Sequence, residues 1–336
     1  MRQHVVSPYA SILFYYDLYP DHIEDFGKVK KVTTSRGIFA LKETTMNRME
    51  ADEFIHAMRK LSKLNYKQAI PIMPTKYGEY TIATNTHTYY VMPWYEGVEY
   101  MGRESQEEKL ATQMAVIHRL TVKTQTFVKE QVDQSFNELQ KRWEIKRLEL
   151  NRFADFVERK NYMSPFELTF ITHAHMLDQM AVKASEHLQN WYEACLEKEK
   201  YRTVLCHGRI SRAHAIFNME NEPTLINFEK ASVDTPARDL ASFCRQNFRY
   251  TMWNEDEVLR WFMRYERHLP LLDEEKELLC GYLMFPEPVV FAVESYINKR
   301  SELSELQHVQ RLEKRLISLR KVQRLSQKLI IPPEGS

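Results

Sequence analysis

The sequence contains little glycine, only 8 residues among 336. Loops that bind phosphate through backbone amides rely on glycine, because a chain without a side chain can approach the ligand closely. Residues 21–32, which precede the first predicted hairpin, read DHIEDFGKVKKV and include one glycine, Gly27. We therefore expect a poor phosphate-covering loop in this part of the chain.

Cysteine is also scarce, and its spacing argues against a disulfide framework or a metal centre. The four cysteines are Cys195, Cys206, Cys244 and Cys280, and no two of them form a C-x-x-C pair. Widely separated cysteines are typical of buried or unreactive thiols in a reducing compartment. We expect no metal-binding residues among them.

Neither a charge excess nor a long apolar run is present. The 47 basic residues nearly balance the 46 acidic ones, so no overall positive field favours nucleic acid. The first residues, MRQHVVSPYASILFYY, lack the basic and then apolar regions of a secretory signal. No stretch approaches the roughly 20 apolar residues that span a bilayer. We expect cytoplasmic synthesis without secretion, no transmembrane segment and no nucleic-acid partner.

What is present is ample core-forming material, since 43% of the residues are hydrophobic and 12% are aromatic. The first hundred residues alternate as mixed strands and one helix. The predicted order is strand 28–34, turn 35–37, strand 38–41, helix from 48, strand 80–83 and strand 87–92. Asn47 and Glu50 have the spacing of a capping box, which predicts the helix start.

From about residue 105 the pattern becomes helical. Helices are predicted over 106–119, 132–160 and 164–200, and again after Pro236 to about Leu329. A strand-like segment, 203–227, interrupts them. We place the boundary between a mixed and a helical part near Gly97.

Two motifs in the mixed part have the pattern of a nucleotide site. Lys42 ends the strand sequence FALK, where kinase folds place a lysine that reaches the phosphates and pairs with a helix glutamate. Glu50 is the candidate partner, with Glu53 as the second choice. The sequence YYVMPWYEG then predicts a hinge in which Trp94 and Tyr95 follow a strand and stack on adenine. A plain crossover between domains explains the same residues.

The segments LCHGRISRAHAIFN and PTLINFEKASVDTPARDLA resemble the catalytic region of aminoglycoside-phosphotransferase-type kinases. That family carries L-x-H-G-D-x-x-x-x-N, then I-D-F-[DE], then Pro-Ala-x-Asp-Leu-Ala, in this order and spacing. The resemblance implies an α+β, bilobal protein kinase-like fold. A small N-terminal antiparallel-sheet lobe would span 1–97, with a hinge at about 92–97. A large, mainly helical C-terminal lobe would span 98–336 and contain the catalytic-type loop 205–230.

The residues that carry the chemistry in that family are replaced here. Arg209 stands where the resemblance places the base aspartate, His214 where it places the metal-binding asparagine, and Asn227 where it places the metal-binding aspartate. Arginine cannot accept a proton, and magnesium prefers charged oxygen ligands. Only Glu229 keeps its acidic character. We therefore expect a pseudokinase with no catalytic residues, no metal site and no required cofactor.

A second resemblance covers essentially the whole chain. The strand GIFALK, the segment IPIMPTKYGEY, the crossover WYEG and the helix start PARDL are similar to the CotS/YutH family of Bacillus-type endospore coat-associated proteins, closest to its YutH group. This resemblance implies a role in sporulation or coat assembly, other coat proteins as partners, and a location in the mother cell and spore coat.

Several alternatives stay open at this point. One is an atypical small-molecule phosphotransferase that uses Glu229 and His214 with a non-standard metal site; a weaker one is a helical adaptor. ATP binding through Lys42, Arg209 and the hinge is also open, as is its opposite, in which Arg209 pairs with Glu229 or Asp239. The sequence leaves the oligomeric state undetermined.

A separate basic stretch lies near the C-terminal end of the sequence. Residues 311–328 hold seven lysines or arginines and one acid, with leucines at helical spacing. This pattern predicts either a docking helix for a partner or the last helix of the C-terminal lobe with a solvated charged face.

Overall fold

The computed structural model describes residues 8–98, 105–126, 128–198, 200–248, 253–298 and 302–330. These residues form two compact units. The first lies within Met1–Thr121 and Leu205–Val233, and the second within Val122–Val204 and Asp234–Ser336. The catalytic-type loop thus groups with the N-terminal sheet. The lobe boundary near residue 97 stays a prediction.

The elements follow one another along the chain with these bounds. The first 121 residues contain α1 (Ala10–Tyr15), β1 (Pro20–Phe26), β2 (Val29–Thr34), β3 (Gly37–Thr44), α2 (Arg48–Lys63), β4 (Ile82–Ala83), β5 (Thr88–Pro93) and α3 (Gln106–Thr121). Next come β6 (Lys123–Thr126), α4 (Lys129–Glu158), α5 (Pro165–Ile171), α6 (Ala174–Leu196) and β7 (Lys200–Cys206). The loop region holds a 3-10 helix (Arg212–His214), β8 (Ala215–Phe217), β9 (Pro223–Leu225), a second 3-10 helix (Phe228–Lys230) and β10 (Ser232–Asp234). The remainder is α7 (Pro236–Asn247), α8 (Glu255–Glu266), α9 (Asp273–Met284), α10 (Glu287–Ile297) and α11 (Glu305–Ile330).

An antiparallel five-stranded sheet, in the order β1-β2-β3-β5-β4, forms the centre of the first unit. Its register places Lys42 opposite Val29 on one side and Tyr90 on the other. Because side chains alternate between the faces of a strand, Lys42, Thr44 and Tyr90 share one face. This face carries the polar groups of the candidate site.

The opposite face of the sheet is buried under α1. Leu41 and Val91 of the sheet pack there with Ile12 and Leu13 of the helix. Neither α1 nor β1 was predicted, so the expected four-stranded arrangement was incomplete. Strand β1 reads PDHIEDF, and its two apolar residues are too few to give a strand-like alternation.

Helix α2 begins as predicted. Asn47 accepts from the Glu50 backbone amide, and the Glu50 carboxylate accepts from the Asn47 amide, which completes the capping box. The apolar face of the helix packs on the sheet, where the rings of Phe54 and Tyr90 lie 4.9 Å apart. This packing fixes α2 on the same face as Lys42.

The second unit is built from packed helices. Residues of α4, α5, α6, α10 and α11 form one apolar cluster that includes Phe153, Phe166, Leu177 and Leu316. Helix α9 approaches α6 closely at Gly281, where a β-carbon would lie only 3.2 Å from the carbonyl oxygen of Ala184.

The predicted single helix 164–200 is in fact two, α5 and α6, which are separated at Thr172 and His173. No proline or glycine marks this break, so the sequence offered no signal for it. Helix α5 begins with its own capping box between Ser164 and Glu167.

One segment of the second unit, Asp273–Ile297, is apolar enough by length and composition to cross a membrane. It consists of α9 and α10, which Phe285 and Pro286 separate, and 67% of its most apolar window is buried within the structure. These properties are typical of core helices.

Candidate functional site

The loop that contains Arg209 lies directly against the second 3-10 helix. Gly208 has φ +78°, and a β-carbon at this position would collide with the Lys230 carbonyl. Glycine is therefore required both by the backbone conformation and by the close approach. The contact brings Arg209 next to the segment that carries Asn227 and Glu229.

His207 holds the same two segments together. Its side chain is fully buried, its Nε2 donates to the Ile226 carbonyl at 3.0 Å, and its ring lies 4.3 Å from the ring of Phe228. Because a carbonyl only accepts, this bond fixes the proton on Nε2. His207 is thus a structural residue of the loop.

Arg209 is exposed, and its guanidinium makes no hydrogen bond or ion pair with any described residue of the first unit. The predicted pair between Arg209 and Glu229 is not formed among the described residues, and the two Glu229 oxygens accept from the Thr44 and Tyr90 hydroxyls instead. Within the described part of the chain the Arg209 backbone is engaged, since its carbonyl accepts from His214 Nδ1. A guanidinium without a partner can bind an anion.

His214 is half-buried beside these charges. Burial lowers the pKa of its imidazole below the ordinary value, and the positive charges of Arg209 and Lys42 lower it further. The hydrogen bond to the Arg209 carbonyl and the charge of Glu229 oppose the decrease. At neutral pH His214 is a neutral ring that donates through Nδ1.

Asn227 lies at the start of the second 3-10 helix in the left-handed conformation, with φ +70° and ψ 48°. Asparagine tolerates this conformation better than most residues. Its Oδ1 is buried and has no hydrogen-bond partner among the described residues. The position thus offers one neutral oxygen where a metal site needs a negative charge.

Glu229 is the carboxylate of this region, and hydroxyl groups bind both of its oxygens. The Tyr90 hydroxyl donates to Oε1 at 3.0 Å, and the Thr44 hydroxyl donates to Oε2 at 3.1 Å. Burial, followed by the charge of Glu229, raises the pKa of Tyr90 well above its ordinary value, so the phenol stays a donor. Sequence reasoning missed both partners, although strand alternation places Thr44 and Tyr90 beside Lys42.

Glu50 does not pair with Lys42. Its carboxylate accepts from Lys230 Nζ at 2.7 Å and also caps α2 through Asn47. The second candidate, Glu53, is exposed. Lys42 is half-buried and has no hydrogen bond or ion pair with described residues, so the expected lysine–glutamate pair is absent there.

The turn between β1 and β2 is a tight two-residue connection, Gly27 and Lys28. The Gly27 amide donates to Asp25 Oδ1 at 2.8 Å, and the buried Lys30 donates to the same carboxylate at 2.7 Å. The turn is therefore held by its own groups, and the weak phosphate binding expected of it stays a prediction.

The predicted hinge residues behave differently from each other. The Trp94 indole donates to Glu96 at 2.8 Å, lies 5.9 Å from the Phe26 ring, and carries Lys31 Nζ at 5.0 Å from its ring centroid. Tyr95 is 44% exposed. Trp94 is engaged with the sheet, whereas Tyr95 faces solvent.

Magnesium does not fit this donor set. Mg²⁺ requires several oxygen ligands, and carboxylates are the preferred ones. Asn227 supplies a neutral oxygen, Glu229 already accepts two hydroxyl hydrogen bonds, and Lys42 and Arg209 repel a dication. The side chains of this region favour an anion instead.

The basic helix α11 uses much of its charge within the second unit. Arg324 pairs with Glu255 at 2.6 Å and Lys328 with Asp256 at 3.1 Å, while Lys321 donates to the Trp253 carbonyl at 2.6 Å. Leu316 and Leu319 of the same helix are buried. These contacts are those of a packed terminal helix.

Three solved structures have the same fold as this chain. An aminoglycoside phosphotransferase from Alicyclobacillus acidocaldarius subsp. acidocaldarius DSM 446 matches with TM-score 0.76 and 16% identity over 94% of this chain and 93% of that one. Spectinomycin phosphotransferase APH(9)-Ia, in complex with ADP and spectinomycin, matches with TM-score 0.63 and 11% identity over 95% and 96%. A microcompartment-associated aminopropanol kinase matches with TM-score 0.60 and 10% identity over 96% and 98%.

At these identities the likeness shows the fold alone, and it confirms the predicted aminoglycoside phosphotransferase-like architecture. A comparison with curated proteins found no match. A family model covers residues 10–328, nearly the whole chain. The chain therefore belongs to the family described as "Spore coat putative kinase YutH".

Proposed function

We propose that this protein is a pseudokinase, a kinase-shaped binding or scaffold protein of the spore coat that does not carry out magnesium-dependent phosphoryl transfer. One observation supports the proposal above all others. The candidate site contains Arg209, His214 and Asn227 at the positions of the family's base and metal ligands, and both oxygens of its Glu229 carboxylate bind hydroxyls.

The chemistry explains why this arrangement is inactive. Phosphoryl transfer depends on a group that orients the attacking hydroxyl and on a metal that neutralises the phosphates. Arg209 cannot accept a proton, and the uncharged Asn227 attracts a dication only weakly. Glu229 is fixed by Tyr90 and Thr44, so it holds the 3-10 helix to the sheet.

The coat assignment rests on the family and not on any residue of the site. A member without turnover would act through binding, so we propose other coat proteins as its partners. It would be made in the mother cell and deposited on the developing spore. A fluorescent fusion in sporulating cells should form a shell around the spore; a signal that stays diffuse in the mother cell would contradict this role.

The catalytic part of the proposal is tested by ATP consumption. The purified chain should release no phosphate above a buffer control, with Mg²⁺ or Mn²⁺ and a panel of amino and hydroxyl acceptors. As a restoration control, Arg209→Asp with Asn227→Asp supplies the two missing carboxylates. Turnover by the unmodified chain that Glu229→Gln abolishes would overturn the proposal in favour of an atypical phosphotransferase.

A further inference from the structure

The same region has a second property, and the inference of this property rests on the proposed function. We propose that Lys42 and Arg209 form a metal-independent binding site for small polyphosphates, and that this site recognises the phosphate chain with little selectivity for a nucleotide base.

The first argument is position. Lys42 lies on β3 beside Tyr90 of β5, and the Tyr90 hydroxyl contacts Glu229. The loop with Arg209 lies against the segment that carries Glu229 through the close approach of Gly208 to Lys230. Both cations therefore belong to one region, and the Arg209 backbone is held in it by its carbonyl, which accepts from His214 Nδ1.

The second argument is charge. Glu50, the acid expected to neutralise Lys42, is bound by Lys230 instead, and those two charges cancel. Glu229 brings one negative charge that two hydroxyl donors partly satisfy. Lys42 and Arg209 then leave the region with a net positive charge and no described partner for either cation. Arginine and lysine bind phosphate oxygens directly, and arginine does so with two parallel hydrogen bonds.

The third argument concerns the role of the metal. In magnesium-dependent sites the ion bridges carboxylates and phosphates, so affinity depends on the metal. Here Arg209 occupies the position of the family's base aspartate, and its guanidinium can bind the phosphates directly. A complexed Mg²⁺ would lower the charge of the ligand and be repelled by the two cations, so it should weaken binding.

The fourth argument concerns the base. An aromatic ring held in place beside the hinge favours adenine binding, but the Trp94 ring is engaged by Lys31 and Phe26 and its indole nitrogen by Glu96. Tyr95 is 44% exposed, and no ring contact with another described residue holds it in a stacking position. The backbone amide of Trp94 donates to Ile38 at 3.1 Å, and proline at 93 has no amide to offer. The phosphate chain should therefore supply most of the affinity.

Isothermal titration of the full chain with three probes tests this inference. In EDTA we expect inorganic tripolyphosphate and ATP to bind with Kd values within about threefold of each other, and adenosine not to bind. Adding Mg²⁺ should weaken both polyphosphates by about fivefold or more. Binding that requires Mg²⁺, adenosine binding, or ATP binding without tripolyphosphate binding would each overturn the proposal.

Variants locate the site. Arg209→Gln and Lys42→Met should each weaken tripolyphosphate binding by at least about tenfold, since each removes a charged donor. Lys63→Ala removes an exposed lysine at the end of α2 and is the matched control, which should bind like the unmodified chain. Equal effects of Lys63→Ala and Arg209→Gln would show non-specific attraction and reject the site. Melting curves identify a variant that fails to fold, and the three-probe titration needs no variant.

The outcomes separate this inference from the proposed function. Failure to bind tripolyphosphate together with absence of turnover would remove the polyphosphate site and leave the pseudokinase proposal intact. Turnover of ATP would overturn the pseudokinase proposal whatever the binding result.

Discussion

The hydroxyl of Tyr90 donates a hydrogen bond to Glu229 Oε1 at 3.0 Å, from a phenol that is only 2% exposed. The bond joins strand β5 to the 3-10 helix that follows Asn227. Thr44 of β3 adds a second hydroxyl to the same carboxylate. The acid that the family pattern retains at this position is thus a cross-link between the sheet and the loop region, which is consistent with a non-catalytic role.

Replacing Tyr90 by phenylalanine should therefore destabilise the protein. The change leaves Glu229 with a single hydroxyl donor in a half-buried position, and losing a hydrogen bond to a charged group costs about 1.5–3 kcal/mol. Urea unfolding measures the difference in the free energy of unfolding. Tyr77→Phe is the control, because Tyr77 is 68% exposed. Removing its hydroxyl should change the free energy of unfolding by less than about 0.5 kcal/mol. Equal stability of the two variants would contradict the structural role of the bond.

Local structure could be predicted where a short motif determines it. The capping box of Asn47 and Glu50 is visible as two residues at a fixed spacing, and the structure forms it. Thr235 and Pro236 likewise start α7 as a cap and a first helical residue. Such signals involve neighbours along the chain, so no tertiary information is needed.

The pairings of the site could not be predicted because they depend on long-range geometry. The family pattern suggested Glu50 for Lys42, yet Lys230, 180 residues away in sequence, binds Glu50. The position of Glu50 in the first turn of α2 directs its carboxylate to the helix start. Strand register alone places Tyr90 beside Lys42. It gives no indication that the Tyr90 hydroxyl contacts Glu229.

The four cysteines should be unreactive in the folded protein. None of them forms a disulfide and all are buried, and burial raises the pKa of Cys195 and of Cys280 to about 12. Since the thiolate is the reacting species, few of these thiols ionise at pH 8. Titration with DTNB should label fewer than one thiol per chain within minutes without denaturant.

In urea the same titration should label all four cysteines. Cys195 is the most exposed of them, at 7%, and should account for any early reaction. Cys195→Ser should then remove that reaction, whereas Cys280→Ser should not. Rapid labelling of two or more thiols in the folded protein would contradict the burial of the cysteines.

Stability should fall in alkaline solution. Burial raises the pKa of Tyr66 far above its ordinary value, and its hydroxyl donates to Gln113 at 2.8 Å. Above about pH 10 the phenol ionises in the unfolded chain but not in the folded one. The unfolded state then binds fewer protons, so the free energy of unfolding decreases as the pH rises, by up to about 1.4 kcal/mol per pH unit for this group.

Urea unfolding between pH 8 and pH 11 checks this dependence. Tyr66→Phe should be less stable at pH 8, because it lacks the hydrogen bond, but should lose stability less steeply above pH 10. Tyr77→Phe, whose hydroxyl is exposed, should keep the slope of the unmodified chain. Parallel curves for Tyr66→Phe and the unmodified protein would show that Tyr66 ionises in the folded state.

Because the backbone at Asn227 is left-handed, glycine at this position should destabilise the protein less than alanine does. With φ +70° and ψ 48°, a β-carbon costs about 1–2 kcal/mol unless the side chain compensates, whereas glycine adopts this conformation freely. The buried Oδ1 of Asn227 has no described hydrogen-bond partner, so losing the amide should cost little. Asn227→Gly should therefore remain more stable than Asn227→Ala by about 1 kcal/mol in thermal or urea unfolding.

The same pair of changes at Asn190, which lies within helix α6, should rank in the opposite order, because alanine favours a helix and glycine does not. Alanine and glycine of equal stability at position 227 would mean that the backbone there is not left-handed, and the placement of the 3-10 helix that carries Glu229 would then be wrong.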